Sequence, residues 1–320
     1  MHEKVIEGVL HGDRRMAARA ISLIENDDPN KNKILSELYP HTGKAFVIGI
    51  TGSPGAGKSS LVDRLLETVR KQGLTVGVIA VDPTSPFSGG AILGDRIRMQ
   101  DHALDKDIFI RSMGTRGSLG GLSRATKDAV QVLDAFGKDV VIIETVGVGQ
   151  SEVDIIKYAD TTIVVLTPAG GDSVQTIKAG IMEIADIFVV NKADLSGADR
   201  TCSEVSMMLD LGANGRKWRP PVIRTITMDG TGIAEMYGAI GKHREFLHET
   251  GHLEKVRTER IRRDVLDLIE YKLKSAVWDQ VSGSEEFDEL VSQIMSREMD
   301  PYTAAVQILR SINLERCRVF

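Results

Sequence analysis

The stretch that most constrains this chain is Gly52-Ser53-Pro54-Gly55-Ala56-Gly57-Lys58-Ser59, which reads G-x-x-x-x-G-K-S. An apolar run at 45–50 precedes it and an amphipathic segment at 60–69 follows. That order predicts a strand, a glycine-rich loop and a helix. Glycines let successive backbone N–H groups turn inward around phosphate oxygens. The positive end of the following helix points at the same place. Lys58 has the reach for the β- and γ-phosphates of a nucleotide, and the Ser59 hydroxyl suits Mg²⁺. Gly55, Ala56, Gly57 and Ser60 complete the phosphate-binding set. A chance glycine loop would not come with the correct flanking elements, so the stretch reads as a nucleotide phosphate site.

Apolar strand candidates recur at 45–50, 75–81, 108–111, 140–144, 161–166, 187–191 and 222–225. Valine and isoleucine fill both parities, the pattern of strands buried on both faces. Helical stretches between them supply crossovers. The expected fold class is therefore α/β, a doubly wound, mostly parallel sheet over residues 43–245. Ligands in such sheets bind at the carboxyl ends of strands. Residues 1–42 read as a helical cap of two short helices. Val5, Ile6, Val9 and Leu10 form one apolar face, and Ala17, Ala20, Ile21 and Ile24 another. Gly12-Asp13 separates the two, and residues 26–30 end the second. Past Gly241 the strand signal stops. Residues 242–275 read as one long charged helix with an apolar stripe of Val256, Ile261, Val265, Leu266 and Ile269, and shorter helices follow at 285–295 and 301–312. Residues 246–320 thus form a helical arm outside the sheet.

The strand at 187–191 runs into Asn191-Lys192-Ala193-Asp194, an N-K-x-D box. Guanine presents two adjacent donors, N1–H and the 2-amino group, which one carboxylate, Asp194, can accept as a bidentate pair. Adenine would leave that carboxylate unpaired. Asn191 suits either the purine N7 side or a tie to the phosphate loop, and the Lys192 stem can cover the ring face. Residues 140–143 lead into Glu144-Thr145-Val146-Gly147. Glu144 can hold Mg²⁺ through water and the Gly147 N–H can bond the γ-phosphate; the bland alternative is a surface glutamate after a core strand. Val148 stands where a Ras-type enzyme has its water-orienting Gln, so slow intrinsic hydrolysis is expected; Gln150 is out of register. Asp82 and Asp95 suit Mg²⁺ or its waters, since hard cations take carboxylate oxygens. Arg96 and Arg98 suit phosphate contact and surface pairing equally. The catalytic set is read as Lys58, Glu144 and Asp82, and the metal set as Ser59, Asp82, Asp95 and Glu144. Residues 111–121 form a second glycine-rich, basic loop, compatible with a switch or a plain connection.

With 40 basic and 45 acidic side chains the net charge is −5. That balance argues against nucleic acid or an anionic membrane as the main partner. Cys202 and Cys317 stand alone, which fits a reducing cytoplasm. Charges interrupt the first residues, so no signal peptide is read, and the apolar runs are strand-sized. His248 and His252 are spaced for one helical face, but nothing beside them supports a metal, and a solvated face is preferred.

Taken together, residues 52–59, Val81-Asp82-Pro83-Thr84-Ser85-Pro86, residues 111–117, Glu144-Thr145-Val146-Gly147-Val148-Gly149-Gln150-Ser151-Glu152 and Asn191-Lys192-Ala193-Asp194 resemble the MeaB/ArgK-type G proteins, the methylmalonyl-CoA mutase-associated GTPases. Gly12-Asp13-Arg14-Arg15 and Trp218-Arg219-Pro220-Pro221-Val222 extend the resemblance over most of residues 5–245. It implies a Mg²⁺-dependent GTPase that works as a homodimer and chaperones an adenosylcobalamin-dependent acyl-CoA mutase. By the same resemblance, residues 168–180, with Asp172, Gln175 and Lys178, fall on a switch that communicates with the mutase, and the C-terminal helices correspond to a dimerisation arm. One departure is Thr225-Ile226-Thr227, where many G proteins have a Ser-Ala base-contact loop. A backbone N–H near Thr227 could still reach guanine O6. Three other functions stay open. A nickel-insertion GTPase would want a His-rich tract or paired Cys near the switches. An amino-acid-transport kinase or ATPase would want adenine specificity. A non-hydrolysing scaffold is kept alive by Val148.

Overall fold

Residues with β-branched side chains on both parities build strands that need cover on both faces. In the computed structural model, which describes residues 2–82, 102, 104–114, 124–145, 154–168, 183–212 and 217–311, seven such strands form one sheet. They are β1 (Phe46–Gly52), β2 (Val76–Asp82), β3 (Ile108–Gly114), β4 (Val140–Thr145), β5 (Thr161–Leu166), β6 (Ile187–Asn191) and β7 (Val222–Thr225). Their order is β3-β2-β4-β1-β5-β6-β7, and every neighbouring pair is parallel. The expected doubly wound α/β fold is observed, with the sheet wholly rather than mostly parallel. β3 runs on past Arg111 because Ser112, Met113 and Gly114 pair with Ala80, Val81 and Asp82. Ladder pairing there overrides the weak strand preference of Ser and Gly.

The two-residue period of each strand divides the core. On one face Phe46, Ile48, Ile50, Val78 and Ile142 pack with α4 (Lys58–Lys71) and a later helix, α7 (Ile233–Glu249). On the other, Val47, Ile79, Val81, Val141 and Ile143 pack with α5 (Arg124–Ala135) and the N-terminal helices. Those are α1 (His2–Leu10), α2 (Arg14–Glu25) and α3 (Lys31–Leu38). Near the β6 end, α6 (Ala198–Leu211) covers Val164, Leu166, Phe188 and Val190.

Two sequence expectations are corrected. The cap has three helices, not two. Residues 26–30 break the chain, but Ile34 and Leu38 restart a short helix and are fully buried. Its three apolar positions, Ile34, Leu35 and Leu38, span barely one turn, too short a stretch for a periodic signal. The long helix expected at 242–275 is interrupted. Thr250 and Gly251 donate to Phe246 O and His248 O, and Gly251 has φ 63°, the left-handed stop that glycine favours. α8 (His252–Val281) begins afresh, so His248 and His252 sit on different helices.

The chain divides into two compact units, Met1–Leu253 and Glu254–Phe320. The second consists of most of α8 with α9 (Glu285–Met295) and α10 (Pro301–Ser311). α9 is capped by the Ser284 side chain, which accepts from the Phe287 N–H, and carries Glu285, Glu286 and Asp288 in its first turn, where the helix dipole favours acids. Among the described residues no helix is long and apolar enough to cross a membrane.

Candidate nucleotide site

β1 lies between β4 and β5; the next strand in the chain, β2, enters the sheet on the β4 side of it, and β5 enters on the other. Doubly wound sheets bind ligands at the carboxyl end of such a strand. The end of β1 and the loop that leaves it put Gly52, Gly55 and Gly57 at positive φ, and at two of these a side chain would also collide. Gly52 has φ 139°, and a Cβ on it would stand 2.1 Å from the Val165 carbonyl oxygen. Gly57 has φ 86°, and its Cβ would stand 2.3 Å from Asn191 Nδ2. A side chain at Gly52 would push β1 away from β5, and one at Gly57 would displace the Asn191 amide.

Lys58 and Ser59 open α4 and are buried. Lys58 Nζ donates to the Gly52 and Ser53 carbonyls at 2.8 and 3.1 Å. A charged amine held on neutral carbonyls exchanges them readily for anionic oxygen, which bonds it more strongly. Ser59 Oγ donates to Glu144 Oε1 at 2.6 Å, with both residues buried. Glu144 reaches it because β4 is the parallel neighbour of β1, with Glu144 in register with Ile50. One residue on, Thr145 Oγ1 donates to Thr51 Oγ1 at 2.9 Å, so the ends of the two strands are pinned by side chains as well as backbone. The structure thus brings together Lys58, Ser59 and Glu144. The Ser59 and Glu144 oxygens are the donor type that a hard cation such as Mg²⁺ takes. Among the described residues no group of three or more His, Cys, Asp or Glu is placed to hold a metal.

The N-K-x-D loop is tied to the phosphate loop. Asn191 is fully buried; its Nδ2 donates to Ala56 O at 2.8 Å and its Oδ1 accepts from Thr225 Oγ1 at 3.1 Å. Of the two roles open to Asn191, this is the tie between loops. Lys192 adopts φ 57°, a left-handed conformation that costs a non-glycine residue on the order of 1 kcal/mol or more. It is held there by Nζ donating to Gly55 O at 2.9 Å, with the Ala193 N–H on Thr225 O at 3.1 Å. Asp194 follows, exposed at the end of the loop.

Thr227 is half-buried in the turn after β7, and Ser60 is exposed on the first turn of α4. Asp82 ends β2 opposite Gly114 of β3. Asp95 and Gly147 lie outside the described residues, as do Arg96, Arg98, Val148, Gln150, Asp172, Gln175 and Lys178. One side chain that sequence reasoning missed is Arg64, which donates to Thr227 O across 163 positions of chain. No local pattern marks it, since an arginine on an amphipathic helix reads as a solvated one.

A family model described as Methylmalonyl Co-A mutase-associated GTPase MeaB matches residues 17–282. The chain is 52% identical to a Pyrococcus abyssi protein named among GTPases, over 98% of this chain and 97% of the other. It is 33% identical to the GTPase ArgK of Escherichia coli, over 97% and 96% of the two chains. Among solved structures it is similar to a LAO/AO transport system kinase, with a TM-score of 0.72 and 26% identity over 97% and 96% of the two chains. A match that runs from the cap helices through the whole sheet and into α8 is far more than a shared phosphate loop, and the chain belongs to the MeaB family of methylmalonyl Co-A mutase-associated GTPases.

Proposed function

We propose that this GTPase is a chaperone of an adenosylcobalamin-dependent acyl-CoA mutase, methylmalonyl-CoA mutase or a close relative. It acts in the cytoplasm as a homodimer and uses GTP hydrolysis to time the loading and protection of the mutase's cofactor. The observation that carries this reading is the family match, whose description names association with the mutase.

In this reading the phosphate loop and Lys58 hold the β- and γ-phosphates, and Ser59 with Glu144 and Asp82 organises Mg²⁺. The bound Mg²⁺ supplies charge neutralisation at the phosphates. Asp194 reads the guanine N1–H and 2-amino group, while Asn191 and Lys192 hold that loop against the phosphate loop. The 2.6 Å bond between Ser59 and Glu144 supports the metal assignment, because it places two oxygens together at the foot of the phosphate site. The γ-phosphate is sensed by residues 82–98, 147–152 and 168–180, most of which lie outside the described residues.

The test is capture of partners from the source cell's lysate, with the protein loaded with a non-hydrolysable GTP analogue or with GDP. A cobalamin-dependent mutase retained in one nucleotide state more than the other is the expected result. A hydrogenase or urease precursor in its place would move the protein to metal insertion. Absence of any partner in both states would remove the chaperone role.

A further inference from the structure

Two loops leave the carboxyl ends of β6 and β7, at 191–195 and 226–231, and both are tied to the phosphate-binding element. Asn191 and Lys192 make the first tie. The second is made by Arg64, on the same helix as Lys58 and Ser59.

The Arg64 guanidinium is engaged at all three nitrogens. Nε donates to Thr227 O at 2.9 Å and Nη2 to Met228 O at 3.1 Å. Nη1 lies 3.2 and 3.4 Å from the two carboxylate oxygens of Glu67, which steadies the fork from its own helix. A planar group with fixed N–H directions that grips two consecutive carbonyls fixes two peptide planes at once. A trans peptide sets each N–H opposite its C=O. The amides of Met228 and Asp229 are therefore turned away from α4. The base of the turn is closed by an antiparallel bridge, with the Ile226 N–H on Thr231 O and the Gly230 N–H on Ile226 O, both at 3.0 Å. Its tip has little apolar burial, with Met228 87% exposed; the Asp229 carboxylate accepts from the Thr231 N–H at 2.9 Å within the turn, and Arg64 supplies the hold on the tip from α4.

We propose that Arg64 is a specificity-positioning residue, holding the 226–230 turn so that one of its backbone amides meets the 6-oxo group of a guanine nucleotide. This rests on the guanine-nucleotide reading above. The chain entering the turn reads Thr225-Ile226-Thr227 and lacks the Ser-Ala pair expected of a base-contact loop. A contact made by backbone N–H is only as selective as the backbone is fixed, because a loose loop adapts to the wrong base. Here the fixing comes from α4, so base selectivity is built onto the same helix that presents Lys58 and Ser59.

The test is competitive binding of GDP, IDP, 6-thio-GDP and ADP to the wild-type chain, Arg64→Ala and Arg64→Lys. 6-Thio-GDP keeps N1–H and the 2-amino group but has sulfur, a weak acceptor, at position 6. IDP keeps the oxygen and lacks the 2-amino group that Asp194 reads. The wild type is expected to reject both analogues. Arg64→Ala is expected to weaken GDP by about tenfold and to bring 6-thio-GDP within about threefold of it, leaving the GDP to IDP ratio unchanged. Arg64→Lys, which keeps the charge but cannot fork, falls between. A general structural lesion would weaken all four nucleotides together with their ratios intact, and that result overturns the proposal. If the alanine variant does not fold, the lysine variant decides by the same ratio. Wild-type indifference between GDP and ADP would remove the guanine reading itself. Wild-type preference for GDP over IDP, with 6-thio-GDP bound equally well, would keep that reading and remove the role of Arg64.

Discussion

In the proposed function, base identity turns on one carboxylate. Asp194 stands exposed at the end of a loop in which Asn191 and Lys192 are both tied to the phosphate loop. Replacing it with Asn exchanges one acceptor for a donor, which faces the guanine donors unfavourably and pairs with the 2-oxo group of xanthine. Asp194→Asn is expected to bind GDP about 100-fold more weakly and to prefer XDP, as read by equilibrium competition. Retained GDP preference would remove the base-recognition role. This residue was legible because N-K-x-D is a local string at a strand end, as G-x-x-x-x-G-K-S is. Ser59 and Glu144 were legible only through the ion they were expected to share; their direct bond depends on β1 and β4 being neighbours, which no local pattern states. Arg64 was not legible at all. Its partners are carbonyls at 227 and 228, and carbonyls carry no sequence signature.

At the scale of elements, the sheet was legible from its apolar runs, while the staple that holds α7 to its lower edge was not. His243 of α7 is almost fully buried, with Nδ1 2.8 Å from Thr161 Oγ1 and Nε2 3.4 Å from Asp186 Oδ1. Its ring lies 4.8 Å from that of Trp218, whose Nε1–H donates to Asp186 O at 2.8 Å. Trp218 and Pro220-Pro221 stood out in the sequence as part of a resemblance, with no physical role attached; their partners come from α7 and from the start of β6. Burial, and then the positive potential of His252, push the His243 pKa down to about 4. Asp186 moves the other way, to about 7, because burial and then the neighbouring Asp160 oppose its charge, although about a third of its side chain meets solvent. The signs are opposite. A histidine with a lowered folded pKa contributes its stability in full above about pH 6.5 and loses it as the pH falls toward 4. Asp186 contributes below its ordinary carboxylate pKa and loses that contribution as the pH rises through about 7. His243→Gln removes the contribution of the imidazole and leaves that of Asp186. The variant is expected to be less stable than the wild type at pH 7, with a deficit that shrinks by up to about 3 kcal/mol on acidification to pH 4. Urea unfolding at a series of pH values measures it, and a deficit that is flat with pH would show that the imidazole does not titrate in the folded chain.

At the scale of the whole molecule, the second unit exposes many large apolar side chains. In α8 Val265 and Ile269 are half exposed, Leu266 is 65% exposed and Trp278 66%; in α9 and α10 Met295 is 80%, Tyr302 87% and Leu309 63% exposed. The sequence marked a stripe at 256–269 from its spacing, but a stripe does not say what covers it. A small helical unit seldom leaves so many large apolar groups in water unless a partner takes them. A second copy of the chain is the partner that the proposed homodimer supplies, and a stable pair buries about 800 Å² on each side. Light scattering at micromolar concentration is therefore expected to give twice the mass of the 34.9 kDa chain. The double variant Leu266→Glu with Trp278→Asp is expected to give the single mass while still binding GDP, because the phosphate and base loops lie entirely within the other unit. A wild-type monomer would remove the dimer. A double variant that stays dimeric would place the interface on some other surface of the chain.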